Sequence, residues 1–244
     1  MRAIAVLTLI TVTGCAFGAG FTEPSMLNLK VPTGLRAGQL VLDIQHRMPL
    51  DFSWANIGIG LRYLIWSKLE ANLAYTRHIE GSEIAAGAGY AYFVPGILGV
   101  QADVQYFQGL GTDSSRGLFG LVSAQSEPLF GILSAAVNAG FDASRQEFGL
   151  GAGLDAGFGL DFGPVKRVGL AAEYYPMLKA DTARTAAWCA GLTFNTYGHH
   201  FMFTAGNAAP FGAGVGVRRM MAGSPGRDIS VGFNIQRFLD FKTF

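Results

Sequence analysis

The sequence predicts an all-β chain: a transmembrane, antiparallel, up-and-down β-barrel of about 12 strands behind an N-terminal signal peptide, with 10 or 14 strands left open. Three observations carry this. Segments of about ten residues alternate apolar and polar side chains repeatedly, the period of a strand with one lipid-facing and one inward face. After the first twenty residues no apolar run has the roughly 18 uninterrupted residues that a membrane helix needs. The best candidate, Ala85–Val100, is broken by Gly87, Gly89, Pro95, Gly96 and Gly99. Finally, half of the 244 residues are apolar and only 14% are charged. A sheet can sit in hydrocarbon only when it closes on itself, because lipid satisfies no free edge.

Composition excludes several other classes. The 34 glycines follow no Gly-X-Y period and come with only 9 prolines, so the chain is neither collagenous nor low-complexity. A formal charge of +1 and the lack of a dense Lys/Arg stretch argue against nucleic acid as a partner. A secreted soluble sandwich would use the same apolar rows as a core, but its outer faces would then be unusually poor in Lys and Glu.

The chain opens with Met1 and Arg2, an apolar run Ala3–Val12, and small residues at Gly14, Cys15, Ala16, Gly18 and Ala19. This is the layout of a signal peptide, assigned to residues 1–18. Two cleavage readings stay open: after Ala16-Phe17-Gly18, or a lipoprotein-type cut before Cys15 that would lipidate that cysteine. Residues 19–38 are a lead-in, 39–238 the barrel and 239–244 a C-terminal tail.

The expected strands are Gln39–Arg47, Asn56–Ile65, Leu69–His78, Glu83–Phe93, Ile97–Gln108, Gly117–Gln125, Leu129–Asn138, Glu147–Asp161, Val168–Tyr175, Ala186–Asn195, His199–Thr204 and Ile229–Gln236. In the second, Ile57, Ile59, Leu61, Tyr63 and Ile65 face one way and Gly58, Gly60 and Arg62 the other. In the eighth, Gly149, Gly151, Gly153, Gly157 and Gly159 share a face, as an inward row does beside a crowded lumen. Short separators such as Pro95-Gly96, Glu127-Pro128 and Tyr197-Gly198 alternate with longer ones such as Gln108–Arg116, Pro176–Arg184 and Ala205–Asp228. That alternation puts the short turns and both termini in the periplasm of a bacterial outer-membrane protein. Tyr63, Trp66, Tyr75, Tyr90, Tyr92, Tyr106, Tyr174, Trp188 and Phe194 lie on outward rows or beside turns, where lipid headgroups favour aromatic rings.

The inward rows supply the candidate functional residues: Asp43, Gln45, Arg47, Arg62, Glu70, Glu83, Gln101, Asp103, Asp155, Glu173, Asn234 and Gln236 line the lumen. With Glu147 they place seven acids against two arginines, which favours cations. No catalytic, cofactor or metal site is expected. His46, His78, His199 and His200 have no serine at a nucleophile's spacing, and the adjacent pair points to opposite faces of its strand. Cys189 shares the inward row with Thr193 and Asn195, which suits a small lumen residue.

The stretches Gly38–Arg47, Asn56–Tyr63, Gly198–Thr204 with Asn207, and Gly232–Phe238 resemble a family of uncharacterised bacterial β-barrel proteins, a domain of unknown function found largely in Bacteroidetes-type lineages. The resemblance implies an outer-membrane barrel and no known ligand. The chain departs from it by adding Leu239–Phe244, whose terminal Phe244, with Phe241 and Phe238, fits the aromatic ending that barrel assembly machinery recognises. The expected function is a passive, cation-favouring channel for small solutes. The alternative is a closed-lumen barrel, structural or partner-binding, without transport or catalysis. Outer-membrane lipid is the expected surroundings, and loops 108–116 and 205–228 are the expected places for small solutes or surface partners.

Overall fold

A computed structural model of the protein describes residues 27–32, 37–51, 55–66, 68–78, 81–111, 115–179, 184–207 and 229–241. The signal-peptide region with Cys15, most of loop 205–228, and Phe244 lie outside the described residues. Twelve strands follow in chain order: β1 (Gln39–Pro49), β2 (Asn56–Leu64), β3 (Leu69–His78), β4 (Gly81–Val94), β5 (Leu98–Leu110), β6 (Arg116–Ser126), β7 (Leu133–Asp142), β8 (Glu147–Phe162), β9 (Val165–Tyr175), β10 (Ala187–Thr196), β11 (His199–Gly206) and β12 (Ser230–Asp240). Each pairs antiparallel with its chain neighbours, and β1 pairs with β12 from Gln39 opposite Asp240 to Pro49 opposite Ser230. The sheet is therefore a closed barrel, and its ladder hydrogen bonds leave no edge for lipid to meet.

Alternation in the sequence becomes inversion in the fold. On β5, Val104 is 59% exposed while its neighbour Asp103 is 3% exposed, so the apolar side chain points out and the carboxylate in. A soluble sandwich would do the reverse. The outward rows carry the large exposed apolar groups, among them Ile59, Leu73, Leu154, Leu170 and Phe203. The aromatic residues Tyr63, Trp66, Tyr90, Tyr92, Tyr106 and Tyr174 are exposed with them.

Three sequence expectations are corrected. Strand β7 begins at Leu133, four residues after the expected Leu129, because the reversal falls on Phe130-Gly131 instead of Glu127-Pro128. Phe130 and Gly131 both have positive φ (54° and 71°), and the Ile132 N–H donates to the Leu129 carbonyl at 3.0 Å. The reversal is closed by paired backbone bonds between Leu129 and Leu133 at 2.7 and 3.1 Å, with residues 130–132 in the loop. At the C-terminus, β12 continues through Leu239 and Asp240, which pair with Leu40 and Gln39, so the tail starts at Phe241. Loop lengths alternate less strictly than expected: β3 and β4 are separated only by residues 79–80, and β7 and β8 only by 143–146. The end carrying the β2–β3, β4–β5 and β10–β11 turns is termed the turn end, and the opposite one the loop end.

Candidate functional site

The lumen contains part of the chain itself. Residues 27–32, within the expected lead-in, run inside the barrel. Leu27, Leu29 and Val31 are completely buried, and Asn28 and Lys30 nearly so. Pro32 sits at the turn end against Gly99 at the start of β5, whereas Leu29 reaches the loop half beside Gly151 and Tyr175. The segment thus climbs the lumen from one end toward the other. Its alternation of Leu27, Leu29 and Val31 with Asn28 and Lys30 suits an extended chain that has apolar surface on one side and polar partners on the other.

A buried extended segment must find partners for its backbone, and side chains of the wall provide them. Glu173 on β9 accepts three successive N–H groups at one oxygen: Oε1 lies 2.6, 2.8 and 2.9 Å from the nitrogens of Leu27, Asn28 and Leu29. Its Oε2 accepts from Asn28 Nδ2 at 3.0 Å and from the Tyr175 hydroxyl at 3.1 Å. Hydrogen bonds to an ionised acceptor are the strong kind. Asn138 on β7 imitates a neighbouring strand: its Nδ2 donates to the Lys30 carbonyl at 2.7 Å and its Oδ1 accepts the Lys30 N–H at 3.0 Å. Asn234 on β12 donates to the Leu27 carbonyl at 2.6 Å. Arg47 on β1 bridges the wall and the segment, donating to Asn234 Oδ1 at 2.6 Å and to Asn28 Oδ1 at 3.2 Å.

Inward glycines make the room. A Cβ at Gly151 would stand 2.9 Å from Leu29 Cδ2, one at Gly191 3.2 Å from Leu27 Cδ2, and one at Gly99 3.1 Å from Pro32 Cβ. All three separations are tighter than ordinary carbon contacts, so the segment's side chains occupy the volume that wall side chains would otherwise fill.

The Lys30 side chain crosses to the far wall. Its Nζ donates to Glu70 Oε1 on β3 at 3.1 Å and forms a short ion pair with Asp103 Oδ1 on β5. Glu70 is held from the other side by Arg62 on β2, through Nε at 2.9 Å and Nη2 at 2.7 Å. Gln101 Nε2 donates to Asp103 Oδ1 at 3.0 Å, while Asp103 Oδ2 accepts nothing among the described residues. Two cations and two carboxylates, all with buried side chains, balance one another here. Without that balance the cluster would carry a heavy desolvation cost.

The twelve residues expected on the inner row are all buried. Glu70, Asp103, Arg62 and Gln101 gather around Lys30, and Glu173, Asn234 and Arg47 around the segment backbone. Asp43 accepts from Gln45 Nε2 at 2.9 Å, Asp155 is ion-paired with Arg167 on β9, and Glu83 and Gln236 are buried elsewhere on the wall. The two-arginine charge count is corrected: Lys30 and Arg167 add two more bases. Glu147 stands half exposed at the rim, 3.7 Å from Lys179, and does not belong to the buried set. Sequence reading missed Lys30, Asn138, Tyr175 and Arg167. The signal that pointed to Lys30 and Arg167 was the acid surplus, which calls for bases that the arginine count left out; Asn138 and Tyr175, being neutral, left no such signal.

Residues 143–239 match a family model described as a membrane bound beta barrel domain, DUF5777. Among solved structures the chain is similar to the KdgM porin, with a TM-score of 0.55 and 12% identity over 81% of this chain and 98% of that one. A KdgM porin in complex with disordered oligogalacturonate gives a TM-score of 0.56 at 11% identity, again over 81% and 98% of the two chains. The NanC porin gives 0.51 at 8% identity over 80% and 98%. At such identities the likeness is one of fold, and it extends to a closed barrel of porin type. No curated protein sequence matches.

Proposed function

We propose that this chain, a membrane-bound barrel by its match over residues 143–239, is a non-enzymatic bacterial outer-membrane channel for small solutes that its own residues 27–32 close at rest. One observation carries the reading: the segment that fills the lumen packs three apolar side chains into a buried cluster and is otherwise attached by side-chain hydrogen bonds and ion pairs, without a continuous sheet ladder. Contacts of that kind can be exchanged for water or solute without opening the barrel wall. The porin fold supports the same reading. Outward apolar rows and exposed aromatic rings support lipid as the surroundings, with the long loops outside and the short turns in the periplasm.

Withdrawal of the segment sets the selectivity. Lys30 leaves with it, and Glu173 loses its backbone donors, so the three carboxylates of Glu70, Asp103 and Glu173 face the passage against the two guanidinium groups of Arg62 and Arg47. An acidic constriction between low-dielectric walls concentrates cations. Reversal potentials in a salt gradient across a planar bilayer test this: cation preference is the expected result, and anion preference overturns it. Membrane placement is tested separately by Leu42→Arg on the outward row of β1, expected to cost about 2–4 kcal/mol near mid-bilayer in a refolding titration.

The complete burial of Leu27, Leu29 and Val31 favours a second reading, a permanently closed scaffold. A folded barrel that stays silent even without residues 27–32 would select it.

A further inference from the structure

We propose that the Glu70–Asp103 cluster is a binding site for primary ammonium groups, with Lys30 as its resident occupant. This deepens the channel reading and rests on it for physiological meaning: the solutes selected would be compact primary amines such as lysine-type amino acids and short alkyl diamines. The site is built from three strands. Glu70 comes from β3, Asp103 and Gln101 from β5, and Arg62 from β2, and their side chains are buried. Gly89 on β4 keeps the floor bare, since a Cβ there would lie 2.8 Å from Asp103 Cγ and 2.6 Å from Gln101 Nε2.

The arrangement discriminates among cations. An ammonium has three donors in a compact head, and Lys30 Nζ spends one on Glu70 Oε1 and one on Asp103 Oδ1. Asp103 Oδ2, buried and without a partner among the described residues, is left for a third. A guanidinium needs a carboxylate with both oxygens in one plane to receive its fork. Glu70 already gives both oxygens to Arg62, and Asp103 Oδ1 is shared with Gln101. A quaternary ammonium brings bulk and no donor. When Lys30 is absent the cluster keeps two carboxylates against one guanidinium, so a small cation with donors restores neutrality.

The test replaces the side chain and returns it as a free molecule. In Lys30→Gly, n-butylammonium supplies the four carbons and the ammonium that were removed. At roughly five times its dissociation constant it is expected to raise the unfolding temperature of the detergent-solubilised variant by about 2–4 °C. Tetramethylammonium is expected to give no shift, and Lys30→Gly combined with Asp103→Asn no response to either cation. No shift in Lys30→Gly, or an equal shift with tetramethylammonium or in the double variant, overturns the proposal. Should Lys30→Gly fail to fold, the parent protein is read instead. There n-butylammonium, but not tetramethylammonium, is expected to speed trypsin cleavage after Lys30 by displacing it, and equal rates overturn the site. Stabilisation of Lys30→Gly with no conductance in any variant would uphold the site and sink the channel, so the two failures are distinguishable.

Discussion

The two walls of the lumen treat residues 27–32 differently. Along β7 to β12 and β1, wall side chains meet the segment's backbone and its Asn28 side chain: Asn138, Glu173, Asn234 and Arg47 take up amides and carbonyls, and Gly151 on β8 and Gly191 on β10 admit leucines. Along β2 to β5, the polar contact is made by one side chain, Lys30, which ends in an ion cluster, while Ala74, Ala85 and Phe107 share the apolar cluster of the segment and Pro32 lies against Gly99 at the turn end. Buried polar atoms with no partner among the described residues occur on both walls, Asn72 Nδ2, Thr76 Oγ1 and Gln105 Nε2 on the second and Thr193 Oγ1 and Thr204 Oγ1 on the first. Buried polar atoms are rarely left unmet, so water or solute is their natural partner. The first wall recognises a peptide by shape and backbone, whereas the second recognises one ammonium group by charge.

The sharpest way to break this contrast is at Glu173. Glu173→Leu leaves three backbone N–H groups and an asparagine amide without their acceptor, a loss of about 4 kcal/mol in segment docking at roughly 1–3 kcal/mol for each orphaned group, less relaxation. Trypsin cleavage after Lys30 should then rise by roughly 100-fold or more. Gln105→Leu on the opposite wall should leave the cleavage rate nearly unchanged. Equal sensitivity of the two variants would erase the distinction.

Lys30 joins the two walls and comes next. Lys30→Met leaves Glu70 and Asp103 to share Arg62, and the uncompensated buried charge should cost roughly 3 kcal/mol in a denaturant titration. Adding Asp103→Asn should recover most of that loss. A double variant no more stable than the single one would show that the cluster is not electrostatically balanced by Lys30.

A smaller effect sharpens the shape argument. Gly151→Val puts methyl groups where Leu29 and the Tyr175 ring stand, at about 1–3 kcal/mol of overpacking. The part of the strain that falls on Leu29 should be relieved by Leu29→Ala while that on Tyr175 stays, so the pair should be partly non-additive. Simple additivity would place Leu29 away from that gap.

The strands were legible because alternation is local: a barrel strand in β5 declares Val104 outward and Asp103 inward within two residues. The start of β7 was not, because Leu129, Phe130 and Ile132 continue the apolar pattern through a turn that only Gly131 marks. Which side chains are buried was legible by the same period. What fills the space beside them was not, since the hydrogen bond from Lys30 to Glu70 spans 40 residues and that from Leu27 to Glu173 spans 146. Separations of that size leave no periodic trace. Their indirect mark is the excess of inward acids, together with glycines on β8 whose missing side chains imply that something else occupies their volume.

The central claim is that residues 27–32 close a passage. Time-averaged conductance of the purified barrel in a planar bilayer, compared with that of a heat-modifiable, folded variant lacking those six residues, tests it most directly. The account predicts a parent that is mostly silent and a variant that conducts steadily, about ten-fold or more above it and in favour of cations. Equal conductance in the two proteins, or a folded variant that remains silent, would contradict it.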